Sequence, residues 1–202
     1  MLVATIITYN DWPLIKECVE SVIGKVDKII CIDGRFADFP GDSNFSTDGT
    51  LKYLKDKVSV TLIGGLDEVE KRNIYLDQLK DGDICLNLDT DEILVGEIPQ
   101  LEADTGIIQI GEQGDRRRHR RTNRFFRYKD GLHYWGTHKM ILDKGKLFAN
   151  LDRVGEGYTS QKVTEFELLH RNDLRSADRK KDKKKYYKIL MVREAKINVP
   201  AN

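Results

Sequence analysis

The chain has 202 residues, of which 40% are hydrophobic and 33% are charged. This length and apolar content suit one domain around one core, and they exclude an intrinsically disordered chain. No apolar stretch reaches the ~18 residues that a transmembrane helix requires. The net charge of +1 excludes neither acidic nor basic partners.

The charge is divided unevenly along the chain. Residues 1–115 carry 10 Lys or Arg and 23 Asp or Glu, whereas residues 116–202 carry 24 and 10. The two parts therefore have net charges of −13 and +14. This asymmetry indicates either two oppositely charged surfaces or a basic half that meets an anionic partner.

The three cysteines, Cys18, Cys31 and Cys85, do not form a CxxC pair or a metal-binding pattern. Cys31 and Cys85 lie within apolar runs, as small core residues do. Met1 is followed almost at once by a predicted strand, and no signal peptide is recognisable. We therefore expect a cytoplasmic protein, with the host cytoplasm of a virus or the inner face of a membrane as alternatives.

Four apolar, β-rich runs alternate with three helical segments in the N-terminal half. The strands are predicted at residues 2–8, 26–33, 58–63 and 83–88, and the helices at about 11–24, 46–57 and 67–80. Asp11 is expected to cap the first helix, whose apolar stripe extends to Ile23, and the core side of the third helix is also expected to be apolar. Strands and helices that alternate in this way predict a mostly parallel sheet with helices on both faces.

The pattern changes after Pro99. Short strands are predicted at residues 106–110, 123–128, 132–135, 139–142 and 164–170, and Ser176 is expected to cap a charged helix from 177 to about 196. No internal repeat and no Pro/Ser-rich linker divides the chain. We therefore predict a single domain over 1–202, with a ligand-binding half at 1–98 and a small, partly antiparallel half at 99–202 that completes the site.

The densest acidic motif follows the fourth predicted strand. Asp89, Asp91 and Glu92 place three carboxylates within four positions, and they repel one another unless a positive charge lies among them. Ligands bind beyond the carboxyl ends of the strands in open α/β sheets. Oxygen ligands at this density suit Mg²⁺ or Mn²⁺, and the alternative is a solvated acidic turn.

Five segments occur in an order that resembles glycosyltransferase family 2, a group of inverting enzymes with the GT-A fold. They are residues 4–10 (ATIITYN), 31–34 (CIDG), 46–50 (STDGT), 71–73 (KRN) and 88–92 (LDTDE). The resemblance covers about the first 95 residues. In one departure, residues 35–45 are inserted where the family runs its second-strand Asp directly into the STDGT segment.

The resemblance implies roles for named residues. Base and ribose would contact Thr8, Tyr9, Asn10 and Asp33, Arg72 would lie near the donor, and Asp89 would reach the sugar or ribose. Asp91 would bind Mn²⁺ or Mg²⁺ together with Asp89, and His170, which ends the run TEFELLH, would be a further ligand. The donor implied by family frequency is a UDP-sugar.

The sequence offers two candidates for the catalytic base. Related family members follow a His at the position of His138 with Glu, whereas this chain has Lys139. His138 and Asp115 are the candidates for taking the proton of the acceptor hydroxyl. Glu92 could orient the site instead.

Two basic clusters remain after these assignments. One is the arginine cluster Arg116, Arg117, Arg118, Arg120, Arg121 and Arg124, and the other is the lysine cluster Lys180, Lys181, Lys183, Lys184 and Lys185. Arginine suits phosphate recognition, and we interpret the arginine cluster as an acceptor or phosphate site. The acceptor could be DNA or an anionic envelope glycan, and contact with an anionic membrane surface is an alternative. The lysine cluster is interpreted as a solvated helix face.

Two other functions fit parts of the sequence. A nucleotidyltransferase acting on a sugar phosphate would have a Gly-rich, basic loop after the first strand, and residues 8–11 contain neither Gly nor Lys. A non-enzymatic nucleic-acid-binding module would explain the basic clusters and leave the acidic motif unexplained. The fingerprints of dinucleotide-binding and P-loop proteins are absent.

Overall fold

The structure is a computed structural model that describes residues 1–112, 115–136, 139–142, 145–174 and 177–197. It covers the side chains of these ranges except those of 115–120, 172, 179, 191 and 193–197. The predicted helix cap at Ser176 lies outside the described residues. None of the described helices combines the length and the apolar character that crossing a bilayer would require.

The N-terminal half contains the four predicted parallel strands. They are β1 (Leu2–Thr8), β2 (Lys28–Asp33), β3 (Ser59–Leu62) and β4 (Ile84–Leu88), and the helices between them are α1 (Leu14–Val22), α2 (Thr50–Leu54) and α3 (Glu68–Leu76). β1 pairs in parallel with both β2 and β4, and β2 pairs in parallel with β3. The predicted βαβ arrangement is confirmed, although each helix is shorter than expected.

The C-terminal half contains more strands than the sequence indicated. They are β5 (Glu92–Gly96), β6 (Thr105–Glu112), β7 (Asp115–Arg127), β8 (His133–Tyr134), β9 (Met140–Leu142), β10 (Lys146–Ala149) and β11 (Ser160–His170). A short 3-10 turn, Asn172–Leu174, precedes the long helix α4 (Ala177–Ile197). β5 and β10 were not predicted, and β7 and β11 begin earlier than expected.

Most strands belong to one sheet, which runs through both halves. Its order is β3-β2-β1-β4-β7-β6-β11-β5, and a separate antiparallel sheet has the order β10-β9-β8. β7 lies antiparallel between β4 and β6, so that it joins the parallel half to the rest of the sheet. The predicted fold class, a Rossmann-like and mostly parallel sheet with flanking helices and a small antiparallel portion, is confirmed.

Side chains on the two faces of the sheet pack into two separate hydrophobic cores. Ala4 and Ile6 of β1 lie in the core beneath α1, whereas Val3 and Ile7 lie in the core beneath α3. This division follows from the two-residue period of a strand, whose successive side chains point to opposite faces. A sheet buried on both faces explains why β1, β2 and β4 read as continuous apolar runs.

Three details of the helices differ from the prediction. The Asp11 carboxylate does not cap α1, because it accepts hydrogen bonds from the Thr8 hydroxyl and the Tyr9 amide. Ile23 lies past the end of α1 and is 46% exposed. The buried face of α3 was expected to be apolar, yet Lys71 and Arg72 are almost fully buried there.

Candidate active site at the carboxyl ends of the parallel strands

The acidic motif lies in the turn that joins β4 to β5. Asp89 and Asp91 follow the last residue of β4, and Glu92 is the first residue of β5. β11 pairs antiparallel with β5, and its register places His170 opposite Glu92. Three carboxylates and a late histidine, far apart in sequence, therefore meet at the carboxyl end of the parallel sheet.

The imidazole of His170 lies close to two of these carboxylates. Its Nδ1 is 3.8 Å from Asp91 Oδ2, and its Nε2 is 3.6 Å from Glu92 Oε1. Burial lowers the pKa of His170, and the nearby charges of Asp91 and Asp89 only partly oppose this effect. The ring is therefore held towards its neutral form, the form that binds metal ions.

Two arginines from different elements neutralise the acidic motif. Arg72 of α3 and Arg124 of β7 bond the two oxygens of Asp89, at 3.2 Å to Oδ1 and 2.9 Å to Oδ2. Arg124 also donates to Glu92 Oε1 at 2.8 Å, and the Asp89 amide donates to Glu92 Oε2 at 2.7 Å. Asp89 and Glu92 are thus fixed by these contacts, and the Asp91 side chain points towards His170.

The position of Arg72 is set by the start of α3. Asp67 and Glu70 form a capping box, in which each side chain accepts a hydrogen bond from the other residue's amide. Residues four apart share a helix face, so Glu68 and Arg72 meet, with 2.8 Å between Glu68 Oε1 and Arg72 Nη2. Arg72 also donates to the Asn87 side chain of β4, at 2.5 Å.

The predicted nucleotide-binding residues are occupied by contacts within the chain. Asp33 is fully buried and accepts hydrogen bonds from the amide and the hydroxyl of Ser46. The Asn10 amide donates to the Ser46 hydroxyl at 2.7 Å, and the Tyr9 hydroxyl donates to the Ser43 carbonyl at 2.9 Å. Thr8 donates to Asp11. Because Ser43 lies within the inserted segment 35–45 and Ser46 directly follows it, these bonds attach the segment to this edge of the sheet.

Lys71 contacts the chain where the inserted segment begins. The ammonium group of this buried residue donates to the Gly34 carbonyl and lies 3.9 Å from the centre of the Phe36 ring. Gly34 has φ of 155°, and a Cβ there would collide with the Ile63 carbonyl oxygen. The turn after β2 therefore requires glycine.

Helix α4 crosses the acidic corner. Lys183 Nζ is 3.6 Å from Asp91 Oδ2, and the Tyr186 ring packs against Phe36 and Phe39 at centroid distances of 5.5 and 5.7 Å. A pocket of about 60 Å³ remains between the helix and the sheet edge. Asp89, Asp91, Lys183, Tyr186 and Tyr187 are among the residues that line this pocket.

The residues present fit a divalent cation whose coordination is completed by a ligand. His170 Nδ1 is buried and has no hydrogen-bond partner among the described residues, and it faces the Asp91 carboxylate. The described part of the chain contains no group of three or more Asp, Glu, His or Cys residues arranged to hold a metal ion. Mg²⁺ sites of the kind that use one or two carboxylates plus substrate phosphates do not need such a group.

The structure brings most of the predicted metal and donor residues together. Asp89, Asp91, Arg72 and His170 lie in one cluster. Arg124, which was assigned from the sequence to the acceptor side, lies in the same cluster, and its guanidinium group contacts Asp89 and Glu92. Their proximity leaves the roles of these residues as predictions.

The candidate bases and most of the arginine cluster have side chains outside the part of the chain that the structure describes. His138 lies outside the described residues, and so do the side chains of Asp115, Arg116, Arg117, Arg118 and Arg120. The backbone of Asp115 lies opposite Glu112, which in turn lies beside His170. Phe125 pairs with Leu86, so the earlier part of β7 extends past the carboxyl end of β4, and Arg121 is exposed there.

Several site residues were not identified from the sequence. Glu68 could have been found, since its spacing from Arg72 and its place after the cap predict an ion pair on one helix face. Lys183 carried no such signal, because the five lysines of the cluster at 180–185 look alike in the sequence. Only the way in which α4 docks distinguishes Lys183 from its neighbours.

No protein-family model and no curated protein sequence matches this chain. Among solved structures, the chain is similar to S. aureus TarS, with 23% identity and a TM-score of 0.40 over 57% of this chain and 23% of that chain. It is similar also to S. aureus TarS 1-349, with 21% identity and a TM-score of 0.41 over 57% of this chain and 37% of that chain. The matched region thus spans less than two fifths of either solved chain.

Proposed function

We propose that this chain is a metal-dependent, inverting glycosyltransferase that moves a sugar from a nucleoside diphosphate, UDP by preference, to a hydroxyl acceptor. The observation that carries the proposal is the meeting of Asp91 and His170 at the carboxyl end of β4, beside Asp89 and its two arginines. The order of the family 2 segments in the sequence, which supplies the reaction class, supports the same proposal.

Asp91 and His170 would hold Mn²⁺ or Mg²⁺, which supplies positive charge to offset the charge of the departing diphosphate. Arg72 and Arg124 hold the Asp89 carboxylate from both sides, so that its orientation towards the donor is set before binding. Such fixed groups lower the barrier because they need no reorganisation during the reaction.

The transfer itself is a displacement at the anomeric carbon. The acceptor oxygen forms a bond to this carbon as the bond to the diphosphate oxygen breaks, and a base takes the hydroxyl proton. Asp115 and His138 remain the proposed bases. The backbone position of Asp115, two strands away from His170 at the same end of the sheet, supports Asp115 as a candidate.

A polyanionic acceptor, either DNA or an envelope glycan, forms part of the proposal. The arginine-rich part of β7 extends past β4 on the side of the site, and Arg121 is exposed. The outer face of α4 adds the exposed lysines Lys180, Lys181, Lys185 and Lys188. A dense positive surface of this kind attracts phosphate-bearing polymers in a salt-dependent manner.

The proposal is tested by thermal unfolding with UDP and Mn²⁺. A ligand that binds only the folded chain adds about 2.7 kcal/mol of stability at one hundred times its Kd, which corresponds to roughly 5–10 °C in Tm for a chain of this size. We expect such a rise for the wild type and for Asp56→Asn, a control at an exposed residue, and its loss in Asp91→Asn.

An unchanged Tm with every nucleoside diphosphate and Mn²⁺ would contradict the proposal. A salt-sensitive gel shift with DNA, together with an unchanged Tm, would favour the nucleic-acid-binding alternative instead. A nucleotide effect that is equal in wild type and Asp91→Asn would retain nucleotide binding and refute the assigned metal ligand.

A further inference from the structure

The inner face of α4 lies on the residues proposed to hold the cation. Lys183 Nζ approaches Asp91 Oδ2 to 3.6 Å and is about one third exposed. The Lys183 side chain also lines the same pocket as Glu68, Asp89 and Asp91. A positive charge of the chain itself thus lies among the acidic groups.

The aromatic side chains next to Lys183 fill the adjoining cleft. Tyr186 is buried in a small cluster with Tyr9, Phe39 and Leu190. The Tyr187 ring lies at 6.0 Å from that of Tyr186 and at 5.7 Å from Lys183 Nζ. These contacts leave a pocket of about 60 Å³, whereas sites for small molecules of nucleotide size have volumes of roughly 300–1,000 Å³.

Among the described side chains of α4, those that pack against the rest of the chain lie along one stripe of the helix. Tyr186 and Leu190 are its buried side chains among those described, and Lys183 and Tyr187 are half-buried. The opposite face carries the exposed lysines and also Ile189 and Val192, which are 39% and 58% exposed. A helix attached along one narrow stripe belongs to the parts of a structure that open locally at low cost.

We propose that α4 is an autoinhibitory helix, whose Lys183 ammonium group takes the place of the divalent cation beside Asp91 while Tyr186 and Tyr187 fill the donor cleft. Binding of the nucleotide and the metal then requires α4 to leave the sheet edge. The inference rests on the proposed function, since it assigns the cation and the nucleotide to this corner. The free energy of opening is subtracted from the binding free energy, so that the closed helix weakens apparent affinity.

Manganese binding measures the competition between Lys183 and the metal. Free Mn²⁺ is followed by electron paramagnetic resonance in the presence of UDP, in wild type, Lys183→Met, Lys184→Met and Asp91→Asn. Methionine keeps much of the length of lysine and removes the charge. We expect Lys183→Met to bind Mn²⁺ about tenfold more tightly, a difference of about 1.4 kcal/mol. Lys184→Met, which changes an exposed lysine of the same helix, should bind as wild type does.

The outcomes separate the two proposals. Binding that is lost in Asp91→Asn and is equal in wild type and Lys183→Met would overturn the autoinhibitory role and leave the proposed function intact. Weaker binding in Lys183→Met would also overturn it, because Lys183 would then assist the ligand. Absence of Mn²⁺ binding in every variant would overturn both.

Hydrogen exchange provides a second readout, in which the comparison of the variants needs no metal. Amides of Ala177–Ile197 should exchange faster in Lys183→Met than in wild type or Lys184→Met, because the contact to Asp91 is lost. Addition of UDP and Mn²⁺ to the wild type should also accelerate exchange in this helix. Slower exchange on ligand addition would show instead that α4 closes over a bound ligand, and it would refute autoinhibition.

Discussion

At the scale of single residues, the acidic motif is stable because each carboxylate has a separate environment. Glu92 is fully buried, and burial raises its pKa to about 8 although Arg124 opposes the rise. Asp89 lies between Arg72 and Arg124. Asp91 faces His170 and Lys183. Carboxylates this close would otherwise repel one another, and the two arginines remove much of that cost.

We expect His170 to make the stability of the chain depend on pH. Its pKa is lowered in the folded state, so the folded chain binds fewer protons than the unfolded chain at pH values near 6. The contribution of His170 is therefore present above its ordinary pKa of about 6.5 and is lost as the pH falls through the lowered folded value. We expect His170→Gln to lose less stability than the wild type between pH 7.5 and pH 5.5.

The measurement is urea unfolding at the two pH values, with His133→Gln as the control. His133 lies in β8, outside the acidic cluster, and its substitution controls for the removal of a histidine elsewhere in the chain. An equal loss of stability in wild type and His170→Gln would show that His170 is protonated as readily when folded as when unfolded.

The residues of the site were only partly predictable from the sequence. Asp89 and Asp91 could be selected because they follow a predicted strand, where an open α/β sheet binds its ligands. His170 could be selected only through the resemblance to glycosyltransferase family 2. The pairing of Arg124 with Asp89 and Glu92 could not be foreseen, since it depends on β7 lying next to β4. Arg124 looked like one member of an arginine run.

At the scale of elements, α3 delivers Arg72 to the acidic motif, and its start is fixed by Asp67. The Asp67 side chain accepts from the Glu70 amide, and the Glu70 side chain accepts from the Asp67 amide. Removing such a cap costs about 1 kcal/mol. We expect Asp67→Ala to lower the free energy of unfolding by this amount in urea titrations followed by circular dichroism.

The matched control lies at the other end of the same helix. Asp77 is the C-terminal cap residue of α3, where a negative charge is unfavourable to the helix dipole. Asp77→Ala should therefore be neutral or slightly stabilising. Equal destabilisation by both substitutions would indicate a general intolerance of α3 to alanine and would refute the capping role.

Strands were predictable from the sequence where burial on both faces of the sheet determines their composition. β1, β2 and β4 are buried on both faces, and their apolar runs identified them. β5 was missed because it begins within the acidic motif at Glu92, and its position is set by pairing with β11. The first half of β7 was missed because arginines resemble a loop, and its pairing with β6 overrides that preference.

At the scale of the whole molecule, the continuous sheet argues for cooperative unfolding of the two halves. β7 bonds to β4 on one side and to β6 on the other, and Phe125 of β7 lies in the same core as Ile6 of β1. The chain has two tryptophans, Trp12 in the N-terminal half and Trp135 in the C-terminal half. The fluorescence of each tryptophan can report on the unfolding of its own half, when the other tryptophan is replaced.

We expect the variants Trp12→Phe and Trp135→Phe to show unfolding of both halves in one transition. After correction for any change in overall stability by circular dichroism, the fluorescence midpoint in urea should coincide with the midpoint for secondary structure in each variant. A single domain over 1–202 was predicted from the lack of a linker. Two separated midpoints would divide the chain into independently folding parts and contradict that prediction.

The central claim is that a divalent cation joins the Asp91 corner to the diphosphate of a sugar donor. Its most direct test is a crystal of the chain grown with UDP and Mn²⁺, with the manganese located by its anomalous scattering. We expect a peak at bonding distance from the Asp91 carboxylate and a His170 ring nitrogen, next to a phosphate oxygen. UDP bound elsewhere, or bound at this edge of the sheet without manganese beside Asp91, would contradict the account.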